Sequence, residues 1–132
     1  MKITAIIPAR GGSKRLPRKN IFPIWGKPLL TWSIKAAKES DLITDVWVTT
    51  EDTEIATVAL SEGVKIHKRD PELSKDHVYK MEAIRSAAQY IEHNDTISDI
   101  YISLQANSPE ITSDILDDAI RTFINHDRNE LI

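Results

Sequence analysis

The chain has 132 residues, 41% hydrophobic and 28% charged, the proportions of one soluble globular domain able to build its own core. It contains no cysteine, which excludes a disulfide framework, a CxxC redox pair and a thiolate metal site. The net charge of -3 conceals a sorting along the chain: residues 1–38 carry nine basic residues and no acid, while the remainder carries eight basic residues against twenty acids. Such polarity points to an anion handled by the N-terminal part.

Ile3 to Ile7 reads as a first strand, ending at Pro8. It is too short for a signal peptide's apolar core, and no run in the chain approaches a membrane span. The expected location is therefore cytoplasmic, with no membrane partner. An isoelectric point near 5.8 argues against general nucleic-acid binding, which needs a basic surface.

After the first strand, Leu30, Ile34 and Ala37 fall at helical spacing behind Pro28, which suits a first helical turn. Val46 to Thr49 reads as a second strand. Asp52, Thr53 and Glu54 supply acids and a cap for a helix with Ile55, Val58 and Ala59 on its inner face, stopped at Gly63. Val64 to His67 reads as a third strand, followed by a helix whose apolar stripe is Met81, Ile84, Ala88 and Ile91. Ile100 to Leu104 reads as a fourth strand. Ser113 or Asp114 is positioned to cap a last helix with Leu116, Ala119, Ile120 and Phe123 inward.

Strand alternating with helix predicts an α/β fold with a mainly parallel sheet and right-handed crossovers, in one domain over residues 1–132. The first and fourth strands, nearly continuous in apolar residues, are expected to be buried on both faces. A sheet ending at the fourth strand would keep an uncovered edge.

Ligands of open parallel sheets bind at the carboxyl ends of the strands. There the first strand runs into Pro8-Ala9-Arg10-Gly11-Gly12-Ser13-Lys14-Arg15-Leu16-Pro17-Arg18-Lys19-Asn20, with five basic residues, two adjacent glycines and no acid. Glycines let backbone N–H groups approach phosphates, and Arg and Lys add charge-assisted hydrogen bonds. A polyphosphate is the natural partner; the alternative is a solvated basic loop. The spacing is neither GxGxxG nor that of a P-loop.

Other sites are weak. His67, His77, His93 and His126 have no metal-ligand spacing and read as surface or satisfied histidines, with His77, beside Asp76, held in reserve. Asp117 and Asp118 diverge on a helix and read as solvated. Trp25, Trp32 and Trp47 read as packing residues. No Ser/His/Asp arrangement or nucleophile elbow is present.

The segment PARGGSKRLPRKN resembles the nucleotide-binding motif of the acylneuraminate cytidylyltransferases, the CMP-sialic acid synthetases and their relatives acting on similar nonulosonic acids. Further similarity follows in order: Gly26-Lys27-Pro28-Leu29-Leu30, Val48-Thr49-Thr50-Glu51-Asp52, Arg69-Asp70-Pro71-Glu72-Leu73-Ser74-Lys75-Asp76, and Gln105-Ala106-Asn107-Ser108-Pro109. The resemblance implies a Rossmann-like three-layer α/β/α nucleotidyltransferase fold. It also implies a reaction in which the anomeric hydroxyl of a 2-keto acid sugar attacks the α-phosphate of CTP, giving a CMP-sugar and pyrophosphate.

By the resemblance, Arg10, Lys14 and Lys19 are the catalytic cations, and Ala9, Arg10, Gly11, Gly12, Ser13, Lys14 and Lys19 cradle the phosphates. Asn20 and Arg69 contact the cytidine, Asp76 lies beside the nucleotide, and Gln105, Asn107 and Ser108 reach the sugar acid. Ala106 and Asn107 stand where the family has Pro and Thr, and Glu51 where Asp is common. The resemblance covers about the N-terminal three-fifths of such an enzyme, so the fold is expected to be truncated after the fourth strand and helix. The family's Mg²⁺ ligands and dimerisation segment are then expected beyond residue 132, with Mg²⁺ and a homodimer belonging to the complete enzyme. The 132 residues alone are expected to release no pyrophosphate, and a CTP-binding module or structural partner without catalysis is the alternative.

Overall fold

The structure is a computed structural model, and it describes residues 1–11, 23–70, 80–106 and 110–125. In chain order these form β1 (Ile3–Pro8), β2 (Pro23–Ile24), β3 (Lys27–Pro28), α1 (Leu29–Glu39), β4 (Asp45–Thr50) and α2 (Thr53–Ser61). There follow β5 (Lys65–Lys68), α3 (Lys80–Asn94), β6 (Ile100–Ser103) and α4 (Ser113–Asn125). The four strands expected from sequence are β1, β4, β5 and β6, which pair in parallel in the order β5-β4-β1-β6.

That order runs outward from β1 to β4 and β5, then returns to place β6 on the other side of β1. The direction of winding therefore reverses beside β1, and such a switch opens a crevice at the carboxyl ends of the strands. The loop after β1 starts at this point.

Alternation along β1 divides the core. Ala5 and Ile7 face a cluster that includes Leu30, Ile34, Ile55, Ala59 and Leu116 from α1, α2 and α4. Ile6 faces the other way, onto Trp47, Ile84, Ala87 and Ile91 beneath α3. The result is the expected three-layer α/β/α arrangement, with β1 buried along nearly its whole length. By contrast, β6 is only half-buried at Ile100, Tyr101 and Ile102, because β1 is its only strand neighbour among the described residues. Its expected burial on both faces is corrected accordingly.

Several local expectations change. A two-residue hairpin, β2–β3, precedes α1 and places Pro28 at its N-cap position with extended ψ, outside the first helical turn. Gly26 (φ 82°) and Trp25 (φ 51°) occupy its turn; the double positive φ is the type I′ geometry that suits strand twist. Trp25 is thereby lifted into solvent, 67% exposed, with its ring edge-on to Trp32 at 5.9 Å, so it is not a core packing residue. Trp32 donates its indole N–H to the Ile24 carbonyl (2.7 Å), and Trp47 is buried against Tyr90.

The stripe of α3 is also rotated. Met81 is 47% exposed, while Ala83 and Ala87 join Ile84 and Ile91 inside. Small residues there let the helix approach the sheet, a demand that large-residue periodicity does not register. In α4 the cap is Thr112, whose hydroxyl and carbonyl accept from Ile115 and Leu116; Ser113 and Asp114 lie inside the helix. For α2 the expected cap is present: Asp52 Oδ1 accepts from Ile55 N (3.0 Å), and Gly63 at φ 77° follows its end.

Asp117 is the largest correction, being 4% exposed rather than solvated. Its carboxylate accepts the Ser40 hydroxyl and the Asp41 N–H (3.1 Å). The Ser40 Oγ in turn accepts from Leu42 N and Ile43 N, so one acid on α4 organises the turn leaving α1. Asp118, about 100° around the helix, is exposed beside Arg121.

At the amino edge of the sheet, Lys65 lies between Asp45 (3.1 Å) and Asp95 (3.2 Å), and Lys2 is 3.5 Å from Asp95. The hydrogen bond to Asp45 leads the causes that raise the Lys65 pKa. These groups are at the pole opposite the loops expected to bind anions.

Candidate nucleotide site

At the carboxyl edge, the ends of β1, β4 and β5 converge. Ala9 is buried and donates its N–H to the Thr49 carbonyl (3.0 Å), continuing the β1–β4 ladder one residue past the strand. The next two residues turn out of the sheet. Arg10 is half-buried, and the Gly11 N–H is donated to Glu51 Oε1 (2.6 Å).

Gly11 must be glycine for a steric reason. A Cβ there would lie 2.3 Å from Asp52 Oδ2 and 2.8 Å from Asp52 Cγ. The same Asp52 caps α2, so its position is fixed from the other side.

Arg69 follows β5 and is 5% exposed. Its N–H is donated to the Thr50 carbonyl (2.8 Å), and its guanidinium forms an ion pair with Glu51 Oε2 at 3.5 Å. Burial pulls its pKa down, the Glu51 carboxylate opposes this, and the nearby positive Arg10 pushes it down further. The positive charge of Arg10 thus lies within electrostatic reach of Arg69, whose guanidinium has the Glu51 carboxylate beside it. The Arg69 Nε is buried without a hydrogen-bond partner among the described residues.

Beneath this group, His67 is buried, shares a hydrogen bond with Thr49 Oγ1 through Nδ1 (2.9 Å), and lies 4.7 Å from the Tyr90 ring. It is a satisfied histidine, as expected. Burial first, and the positive Arg69 second, lower its pKa below 6.5. The unfolded chain therefore takes up a proton near pH 6.5 that the folded chain still refuses. Stability is expected to decline as pH falls from 7 toward the folded-state pKa. In urea titrations at pH 7.5 and 5.5, His67→Gln should reduce this decline; an unchanged difference between the two pH values would refute the assignment.

On the other side of β1, Gln105 follows β6 with its side chain exposed, and its carbonyl accepts the Ser33 hydroxyl from α1 (2.7 Å). Ala106 is buried in the main core, which holds this loop against the sheet. Of the expected site residues, Ala9, Arg10, Gly11, Arg69 and Gln105 all stand at the carboxyl edge. Gly12, Ser13, Lys14, Lys19, Asn20, Asp76, Asn107 and Ser108 lie outside the described residues, as do Arg15, Arg18, His77 and His126. His93 is exposed near the end of α3.

Glu51 gained no binding role from the sequence, yet it joins two of the three strand ends. A signal was present. The β4–β5 register pairs Thr50 with Lys68, so the next residues along, Glu51 and Arg69, come together as opposite charges.

The described residues do not fit a Mg²⁺ site. No group of three or more His, Asp or Glu residues among them could hold a metal. Of the acids at the carboxyl edge, Glu51 is engaged with Gly11 and Arg69, and Asp52 with the α2 cap. No helix among the described residues is long and apolar enough to cross a membrane.

Comparison with known proteins identifies the family. The chain is 45% identical over 107 residues to N-acylneuraminate cytidylyltransferase A of Danio rerio, covering 81% of this chain and 24% of that protein. It is 41% identical over 125 residues to the pseudaminic acid cytidylyltransferase of Campylobacter jejuni, covering 94% and 54%. Among solved structures, CMP:2-keto-3-deoxy-manno-octonic acid synthetase complexed with CTP superposes with a TM-score of 0.79 at 26% identity, over 95% of this chain and 48% of that one. The chain thus spans from about a quarter to about half the length of these relatives. The family profile described as Cytidylyltransferase matches residues 4–131, which runs from within β1 through α4, and the chain belongs to the cytidylyltransferase family.

Proposed function

We propose that the protein binds CTP at the carboxyl edge of its sheet and serves the transfer of CMP from CTP to a nonulosonic, sialic-type sugar acid. The observation that carries this reading is that Glu51 ties the ends of β1, β4 and β5 together, accepting from the Gly11 N–H next to Arg10 and pairing with Arg69, in a chain of this family. The relatives named above, which act on such acids or hold CTP, support it.

In this reaction the anomeric hydroxyl oxygen of the sugar attacks the α-phosphorus of CTP. The bond from that phosphorus to the bridging oxygen breaks with its electron pair going to the leaving pyrophosphate, and the hydroxyl proton passes to solvent. Nucleotidyl transfer depends chiefly on positioning and on neutralising charge that moves onto the leaving group. Arg10, with Lys14 and Lys19 in the same loop, supplies that positive charge, and Gly12 and Ser13 bring backbone and hydroxyl donors to the phosphates. Arg69 and Asn20 hold the cytidine, with Asp76 beside it; Gln105, Asn107 and Ser108 orient the sugar acid.

Thermal unfolding with and without CTP tests the reading. A ligand at about 100 times its Kd that binds only the folded state adds about 2.7 kcal/mol, which for a domain of this size raises Tm by roughly 10 °C. Arg10→Ala should remove most of the rise. A folded protein whose Tm does not move at millimolar CTP would overturn the nucleotide assignment.

A further inference from the structure

We propose that Glu51 is a positioning residue of the nucleotide site, acting through Arg69 and through the Gly11 N–H; this rests on the CTP reading above. One carboxylate oxygen accepts from the Gly11 N–H, and the other faces the guanidinium of Arg69. The Glu51 side chain is only 17% exposed, so this double contact lies within the sheet edge rather than in its solvent-facing mouth.

Electrostatics explain why a carboxylate is needed there. Arg69 is buried, and the positive charge of Arg10 disfavours its charged form further. A buried cation facing a like charge moves away or gives up its geometry unless a carboxylate holds it. Glu51 supplies the opposing charge and thereby holds the Arg69 guanidinium at the edge of the sheet. Through the Gly11 N–H it also holds the backbone three residues past β1 against the end of β4.

The competing reading makes Glu51 a placeholder that occupies a phosphate position until the nucleotide displaces it. The burial of Glu51 and its contacts with the ends of two other strands argue against displacement. Asp52 beside it is fixed by the α2 cap and the close approach to Gly11, which leaves the dipeptide little room to swing. The two readings predict opposite signs: removing the charge weakens CTP binding in the first and strengthens it in the second.

Calorimetric titration of CTP into the wild type, Glu51→Gln, Arg69→Gln and the double variant makes the test. Glu51→Gln, nearly isosteric, is expected to weaken CTP by about tenfold, the scale of one charge-assisted contact. Because Glu51 acts through Arg69 and also holds the Gly11 N–H, the double variant is expected to bind more weakly than Arg69→Gln alone but by less than the product of the two single losses, whereas a role independent of Arg69 makes the losses multiply. Tighter or unchanged binding by Glu51→Gln, or multiplying losses, overturns the proposal while the wild type still binds CTP. A folded wild type that binds no CTP instead overturns the reading on which the proposal rests. Should Glu51→Gln fail to fold, Glu51→Asp, which keeps the charge but falls one methylene short of spanning both donors, enters the same cycle. It is then expected to weaken binding by about threefold, at the low end for a charged contact, and unchanged affinity would overturn the proposal equally.

Discussion

Gly11→Ala is expected to lower the unfolding free energy by about 2–4 kcal/mol, the range for forcing atoms into a filled site with loss of neighbouring contacts. The new methyl cannot sit 2.3 Å from Asp52 Oδ2, so one partner must yield. If Asp52 swings aside, α2 loses the bond from Ile55 N to its cap, worth about 1 kcal/mol. If the backbone at Gly11 moves instead, it gives up the charge-assisted bond to Glu51, worth about 1.5–3 kcal/mol. Urea titration reads the loss. A second change separates steric from conformational causes: Asp52→Gly removes the obstructing atoms, and glycine is nearly as good a cap. The double variant should therefore be more stable than Gly11→Ala alone, and a still lower stability would show that the clash is not the cause.

Asp117→Ala is expected to cost about 2–4 kcal/mol, because it leaves buried donors without an acceptor. The Ser40 hydroxyl and the Asp41 amide both lose their partner, and the turn that Ser40 organises loosens with them. The acid limb carries a second signature. Burial acts first and raises the Asp117 pKa, but the bonds from Ser40, Asp41 and Leu42 outweigh it and leave the pKa below 3.8. A depressed carboxyl pKa contributes stability that is present above the unfolded value and lost as pH falls through the folded one. The gap between wild type and Asp117→Ala should accordingly be full at pH 6 and narrow below about pH 4. A gap that stays constant down to pH 3 would mean that the ionised carboxylate is not what holds the turn.

The sequence made the sheet legible because β1 is a run of Ile and Ala bounded by Pro8, and because Asp52 and Gly63 mark a helix by chemistry that acts locally. The site was legible where its residues follow strand ends, as Arg10 and Arg69 do. What escaped depends on partners far along the chain. Asp117 reads as one more helical surface acid until Ser40 is set against it, 77 residues away. Glu51 reads as a lengthened Asp until strand register brings Arg69 alongside. The β2–β3 hairpin escaped for a different reason: it has two residues per strand, and its turn places a bulky Trp25 where φ is positive and Asn or Asp is the usual choice.

The tie between Ser40 and Asp117 also bears on how the chain acquires its structure. The first strand made is the central one, yet its neighbours are supplied by residues 45–50 and 100–103, and the turn after α1 waits for an acid on α4. Contacts so distant in sequence close large loops before they return any stabilisation, which slows folding and joins β1 and α1 to β6 and α4 in one cooperative event. A nascent chain that has emerged only through α3 therefore holds β1 with one flank unpaired and α1 with an unanchored end. Amide protons of residues 41–43 should become protected against exchange only when α4 docks, making this turn a reporter of that step.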